Sequence, residues 1–194
     1  MRCYSWNVNG IRAVARKGLL PWKQLPRADV FCLQETKAHV EQLDPEVAEP
    51  KGWHAYYSKT QRKGYSGVAI ISRKEPDEVI EGLGVRKLDQ EGRVLRARYG
   101  DLLVISAYFP KSQPEGPRFE YKLDFCRGMR RFLKKQVDSG LNILLMGDYN
   151  IAHEPIDLAR PKQNLQNPGF LPEERSWMSR YLKSGFHDVF RERN

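Results

Sequence analysis

Three apolar runs in this chain break off on polar residues of one chemical kind: Tyr4-Ser5-Trp6 into Asn7, Val30 to Leu33 into Glu35, and Ile143 to Met146 into Asp148 and Asn150. A fourth run, Leu102 to Ala107, ends on Tyr108. Strands that place carboxylates or amides at their C-terminal ends put those groups in the crevice beyond the sheet edge, where open α/β sheets bind ligands. The sequence therefore predicts an α/β fold with its oxygen-bearing side chains gathered on one rim. Mg²⁺ is held by hard oxygen groups, usually one or two carboxylates with waters and substrate phosphates. The pattern points to metal-assisted phosphoryl transfer.

Charge agrees with a phosphate-bearing partner. The chain has 194 residues, with 33 Lys and Arg against 24 Asp and Glu, a formal net charge of +9. Neutralising phosphates releases condensed counterions, so such a balance suits a polyanion; a merely solvated surface is the bland alternative. Position favours the first reading, because Arg12, Arg16 and Lys17 follow the Asn7 strand end, Lys37 follows Glu35, Lys111 follows Tyr108, and Arg160 and Lys162 follow the Asp148 loop. At 40% hydrophobic and 29% charged, the whole length suits one globular domain.

Cys3, Cys32 and Cys126 are odd in number and lack C-x-x-C spacing, so the expectation is buried reduced thiols, and neither a disulfide framework nor a zinc site is indicated. No apolar stretch approaches the roughly 18 residues of a membrane span, and no leader pattern precedes the first strand. The expectation is a cytoplasmic protein with no membrane association.

Periodicity places strands near residues 2–6, 30–34, 54–58, 67–72, 94–99, 102–108 and 143–147. Gly100-Asp101 has the composition of a tight hairpin, so at least one strand pair is antiparallel and the sheet is mixed. Phe119, Leu123, Cys126, Met129, Phe132, Leu133 and Val137 form an apolar stripe at helical spacing, ended by Gly140. A second helix starts at Pro172, carries Glu173 and Glu174 in its first turn, turns Trp177, Met178, Tyr181 and Leu182 inward, and stops at Gly185. The proline-bearing loops 44–51 and 111–118 are expected to grip substrate.

Phosphodiester cleavage needs an activated water, neutralisation of the phosphoryl oxygens and help for the leaving oxyanion. Glu35 is the foremost metal ligand, with Lys37 beside it for phosphate; a solvated strand-end acid is the alternative. Asp148, behind a tight Gly147, is placed to accept a proton from water. Asn150, two residues on, is expected to point to the same side and donate a hydrogen bond, although Asp-x-Asn is also a common turn. His39, His54, His153 and His187 are scattered without a serine or cysteine elbow, which argues against covalent triad chemistry. His153 reads as a loop-packing residue, and Gly82-Leu83-Gly84 lacks the third glycine of a dinucleotide loop.

Five segments, in order, resemble exonuclease III-type AP endonucleases of the endonuclease/exonuclease/phosphatase superfamily. They are Trp6-Asn7-Val8-Asn9-Gly10, Leu33-Gln34-Glu35-Thr36-Lys37, Gly64-Tyr65-Ser66-Gly67-Val68, Ala107-Tyr108-Phe109-Pro110 and Gly147-Asp148-Tyr149-Asn150-Ile151-Ala152-His153. The stretch from Asn164 through Asn167-Pro168-Gly169-Phe170 to Arg175 resembles the DNA-repair branch in particular. The resemblance implies a four-layered α/β sandwich of two packed mixed sheets flanked by helices. It implies Mg²⁺ or Mn²⁺ on Glu35 with support from Asn7, water activation by Asp148 and Asn150, and Tyr108 at the scissile phosphate. Arg12, Tyr65, Asn164 and Asn167 fall where the family contacts the DNA backbone, joining Lys37 and Lys111 in the expected DNA-binding set.

The implied reaction is incision of double-stranded DNA 5′ to an abasic site, with 3′ phosphodiesterase and 3′ to 5′ exonuclease activity on 3′-blocked ends in some members. A monomer associated with the nucleoid is expected when the chain is complete. The family continues beyond Phe190-Arg191-Glu192-Arg193 with a Trp-rich loop, an Asp strand and a terminal Ser-Asp-His, so residues 1–194 read as one domain lacking its C-terminal part. That departure raises the alternative of an inactive DNA-binding module. A lipid or inositol phosphate phosphodiesterase is the third reading.

Overall fold

The computed structural model describes residues 1–113 and 115–193, and its contacts divide them into two compact units. The first comprises Met1–Phe109 and Arg131–Tyr149; the second comprises Pro110–Arg130 and Asn150–Asn194.

Eight strands form two four-stranded sheets in the first unit. In one, β1 (Cys3–Asn7) runs parallel to β2 (Val30–Gln34), which pairs antiparallel with β4 (Val68–Ser72), itself antiparallel to β3 (His54–Tyr57). In the other, β5 (Glu78–Glu81), β6 (Val94–Tyr99) and β7 (Leu102–Tyr108) form an antiparallel run, and β8 (Asn142–Asp148) lies parallel to β7. Both sheets are mixed, and Gly100-Asp101 makes the expected hairpin between β6 and β7.

Every residue of β2 and β4 is buried. Because successive side chains point to opposite faces, an all-apolar strand must be covered on both sides. Phe31, Leu33, Ala69 and Ile71 pack with Ile11 and Val14 of α1 (Ile11–Arg16), Trp22 of α2 (Pro21–Gln24) and Val47 of α3 (Pro45–Ala48). Val30, Cys32, Val68 and Ile70 pack against Leu95, Ala97 and Val104 of the second sheet. Each Val, Leu, Ile or Phe among them contributes about 1.5–3 kcal/mol relative to exposure, so β2 and β4 anchor the centre. On the far face of β6, the Arg96 guanidinium lies 4.6 Å above the Phe132 ring, where the last turns of α5 (Pro117–Asp138) cover the second sheet. The order helix, sheet, sheet, helix is the four-layered sandwich anticipated from the motifs.

The edge strands differ. Tyr4 and Trp6 of β1 are 38% and 41% exposed, and no residue of β8 is fully buried. In the second unit α6 (Pro172–Lys183) buries Trp177, whose Nε1 donates to the Cys126 carbonyl at 3.0 Å, and stacks Tyr181 between Trp177 and Phe186. Among the described residues, no helix is long and apolar enough to cross a membrane.

Several expectations need correction. β5 was not anticipated: its sequence Glu-Val-Ile-Glu buries almost nothing, so its period is weak. Loop 44–51 contains α3, and Val137 of the predicted core stripe is 48% exposed. The Gly82-Leu83-Gly84 turn wraps a carboxylate of its own, Asp89, which accepts the Leu83 and Val85 N–H groups at 2.7 Å each. His153 packs as expected, with its Nε2 2.8 Å from Ser179 Oγ, and the three cysteines are free.

Candidate active site

Within the first unit, four strand ends bring their polar residues together. The Asn7 amide nitrogen donates to Glu35 Oε1 at 2.8 Å and to Asp148 Oδ2 at 2.9 Å. Its oxygen accepts the Asn9 N–H at 3.0 Å, which leaves the nitrogen aimed at the two carboxylates. Without an intervening donor, two carboxylates this close repel. The Asn7 side chain is a bracket for both acids.

The backbone carrying Glu35 is bent against its preference. Asn9, Glu35, Lys37 and Ser66 all have left-handed φ values, between 45° and 54°. Such conformations cost on the order of 1–3 kcal/mol each and persist where surrounding structure over-determines them. Here Gly10 N–H donates to the Glu35 carbonyl at 2.7 Å, Thr36 N–H to Gly67 O at 3.1 Å and Lys37 N–H to Ser66 O at 2.9 Å. Two loops thus clamp residues 35–37 and turn the carboxylate out of the β2 direction.

Glu35 is 8% exposed. Burial raises its pKa, but hydrogen bonds from Asn7, Lys37 and Tyr108 outweigh that penalty and hold the carboxyl below its ordinary value. The Lys37 ammonium lies 2.7 Å from Glu35 Oε2 and also donates to Asn9 Oδ1. Tyr108 responds in the opposite direction: burial, then the neighbouring Glu35 charge, push its phenol up to about 12. The phenol stays protonated at neutral pH and is a hydrogen-bond donor.

Asp148 and Tyr108 are register partners on the parallel strands β8 and β7, preceded by the pair Gly147 and Ala107. A Cβ at position 147 would stand 1.9 Å from the Ala107 carbonyl oxygen, so only glycine lets β8 approach closely enough to set Asp148 beside Tyr108. The Phe109 N–H closes the pairing on the Asp148 carbonyl at 2.9 Å.

Arg93 was not anticipated. It is 2% exposed, and its guanidinium donates to the Tyr108 carbonyl and to the Tyr65 hydroxyl, both at 3.0 Å, and to Glu91 at 2.6 Å. It also lies 4.6 Å above the Tyr108 ring. A charge just ahead of a strand reads as solvated, and only the tertiary fold reveals it as the post linking Tyr65 to Tyr108.

Arg12 and Lys37 share an open basic cavity of about 490 Å³ with Arg16, Gln42, Asp44 and Gly64. The remaining predicted residues belong to the second unit, where Lys111, Asn150 and Asn164 line a cavity of about 370 Å³. Asn167 is exposed beside them and donates to Asn164 Oδ1 at 2.9 Å. Sequence proximity suggested one group for Asp148 and Asn150; the boundary between the compact units falls between Tyr149 and Asn150.

The donor set fits a hard divalent cation. Among the described residues no three His, Cys, Asp or Glu side chains converge. Glu35 is a single carboxylate kept ionised by its surroundings, and Mg²⁺ commonly takes only one or two protein carboxylates.

A sequence profile of the endonuclease/exonuclease/phosphatase family matches residues 4–190. The chain belongs to this family. Among its members, the exodeoxyribonuclease of Bacillus subtilis is 40% identical over 192 residues, covering 98% of this chain and 75% of that protein. The DNA repair nuclease APEX1 of Danio rerio is 39% identical over 194 residues, 99% of this chain and 62% of that protein. The structure of an AP endonuclease from Archaeoglobus fulgidus matches with a TM-score of 0.85 and 32% identity, covering 98% of this chain and 72% of that one. This family member thus spans 62% to 75% of the length of the two sequence relatives.

Proposed function

We propose that this chain carries the catalytic core of a divalent-metal-dependent DNA repair nuclease that hydrolyses the phosphodiester 5′ to an abasic site and leaves a 3′ hydroxyl. The observation that carries the proposal is the Asn7 amide joining Glu35 and Asp148 at the ends of β1, β2 and β8, with the Tyr108 phenol alongside. The relatives are named as DNA nucleases and AP endonucleases, which supports DNA as the substrate class. A net charge of +9 and the cavity of Arg12, Arg16 and Lys37 suit a DNA backbone.

Glu35 would hold Mg²⁺ or Mn²⁺, which supplies charge neutralisation at the phosphate oxygens when bound. The chain's own residues divide the remaining work. Asp148 accepts the proton of the attacking water while the Asn7 N–H fixes its carboxylate in place. Tyr108 keeps its proton and donates a hydrogen bond to a phosphate oxygen while Arg93 holds its ring, and as the P–O3′ bond breaks the departing 3′ oxygen takes its proton from solvent. Lys37, paired with Glu35, offers its ammonium to the phosphate. Asn150, Lys111, Asn164 and Asn167 orient DNA from the second unit, with Asn150 as hydrogen-bond donor to water or phosphate.

Incubation with Mg²⁺ and duplex DNA bearing one abasic site tests the reading. Incision 5′ to the lesion, abolished by a chelator and restored by Mg²⁺ or Mn²⁺, is expected. Tight binding with no incision under any metal would overturn it in favour of a binding module. Release of nucleotides from 3′ ends without internal incision would make the activity that of an exonuclease.

A further inference from the structure

Two ionisable side chains in the second unit are withdrawn from solvent entirely. Lys122 on α5 and Glu174 on α6 are each 0% exposed, with Lys122 Nζ 3.3 Å from Glu174 Oε1. The sequence pattern gives Glu174 a different part, an acid in the first turn of a helix. A buried ion pair is weak support for stability, because desolvating both charges commonly cancels their attraction and apolar replacements are often neutral or stabilising. What the pair contributes here follows from what the two groups hold.

Both reach main-chain atoms of the cavity wall. Lys122 Nζ donates to the Asn150 carbonyl at 2.7 Å. Glu174 Oε2 accepts the Gly169 N–H at 2.7 Å and the Leu171 N–H at 3.1 Å, while Oε1 accepts the Ser112 hydroxyl at 2.6 Å. The Gly169 carbonyl in turn accepts the Ala152 N–H at 2.7 Å. A Cβ on Gly169 would come within 3.3 Å of the Asn150 oxygen, so the two backbones press against each other. Asn150 itself sits in the left-handed region, at φ 49°. One ion pair thereby pins residues 112, 150, 169 and 171, of which the first three line the cavity.

We infer that Lys122 and Glu174 are positioning residues that fix the main chain at Asn150 and so aim its side chain for the reaction. The inference rests on the role proposed for Asn150. Ammonium to carbonyl is a charge-assisted hydrogen bond, stronger and shorter than a neutral one, and it holds the peptide where a drift of about 1 Å lowers rates about a hundredfold.

The test uses the full chain, abasic duplex DNA and Mg²⁺, with Asn150→Ala, Lys122→Met, Lys122→Arg and the neutral pair Lys122→Met with Glu174→Gln. In the double variant the glutamine at position 174 keeps an oxygen for the two N–H groups and offers its amide to Ser112, while the ammonium's grip on the Asn150 carbonyl is given up. The double variant is expected to melt cooperatively near the parent temperature and to bind DNA within about threefold. Its kcat is expected to fall about ten- to a hundredfold, as for Asn150→Ala, with partial recovery in Lys122→Arg. The Asn150 side-chain amide resonances should shift in the double variant whether or not DNA is cut.

A folded double variant with parental kcat, alongside a slow Asn150→Ala, overturns the inference and leaves the proposed function standing. A parental rate in Asn150→Ala overturns the role of Asn150 and the inference with it. Failure of the double variant to fold would make the pair structural and also sink the inference.

Discussion

The Asn7 amide nitrogen stands 2.9 Å from Asp148 Oδ2, a contact between residues 141 positions apart and on different sheets. The same nitrogen serves Glu35 at 2.8 Å, so one uncharged side chain sets the spacing of the proposed metal ligand and the proposed base. Replacing Asn7 with alanine removes both bonds and leaves two carboxylates facing each other. The expected outcome is a loss of about a hundredfold in kcat, the scale of a missing preorganised donor. DNA affinity should change little. Single-turnover incision set against a binding isotherm checks this, and matching losses in both would show that Asn7 serves binding.

Asp148→Asn preserves size and removes proton acceptance. Turnover is expected to fall by two to four orders of magnitude, roughly the range of general base catalysis, with affinity held by the cations. The measurement is kcat against Kd on the same abasic duplex. Losses of equal size would place Asp148 in binding.

Glu35 makes a pH prediction whose sign follows from its depressed pKa. A carboxyl lowered in the folded state contributes stability that is fully present above its ordinary value and lost as pH falls through the lowered one. Glu35→Gln removes that contribution, so the gap in Tm between parent and variant should be widest near neutrality and close as pH falls below the ordinary carboxylate range. Activity titrated with Mg²⁺ should move to higher concentration in the variant. A gap independent of pH and an unmoved titration would make Glu35 a mere surface acid.

The central strands were legible because an unbroken apolar run such as Val30 to Leu33 has one physical solution, burial on both faces. Glu35, Asp148 and Tyr108 were legible because each is the polar residue that ends such a run. What escaped was whatever depends on tertiary partners. β5 exposes nearly all of its side chains and carries no period. Arg93, Lys122 and Glu174 look like ordinary surface charges in sequence, yet tertiary contacts bury all three. Asn7 was visible as a polar strand end and, by resemblance, as a support for the metal on Glu35; its bridging of Glu35 and Asp148 was not, since its amide nitrogen reaches them through the pairing of β1 with β2 and the approach of β8.

Gly147→Ala should be among the most damaging single substitutions in the chain. The new methyl group would meet the Ala107 carbonyl oxygen at 1.9 Å, a backbone atom that cannot rotate aside. Relief requires separating β8 from β7 at the Tyr108 and Asp148 pair. The expected cost is about 4 kcal/mol or more, seen as a Tm lowered by at least roughly 10 °C or as failure to fold. A variant that melts like the parent would show that β8 approaches β7 less closely.

Salt dependence tests the basic cavity independently of chemistry. If Arg12, Arg16 and Lys37 meet phosphates, log Kobs for duplex DNA falls linearly with log salt, at about −0.9 per phosphate neutralised. Arg12→Ala should lower that slope by about one without altering the preference among DNA sequences, because phosphate contacts position a protein and carry no base information. Lys37→Ala should do the same and, by stripping Glu35 of its ammonium partner 2.7 Å away, should raise the Glu35 pKa as well. The acid limb of the pH–rate profile would then move to higher pH in Lys37→Ala and stay in place in Arg12→Ala. Identical profiles in the two variants would separate Lys37 from Glu35 and leave it a phosphate contact alone.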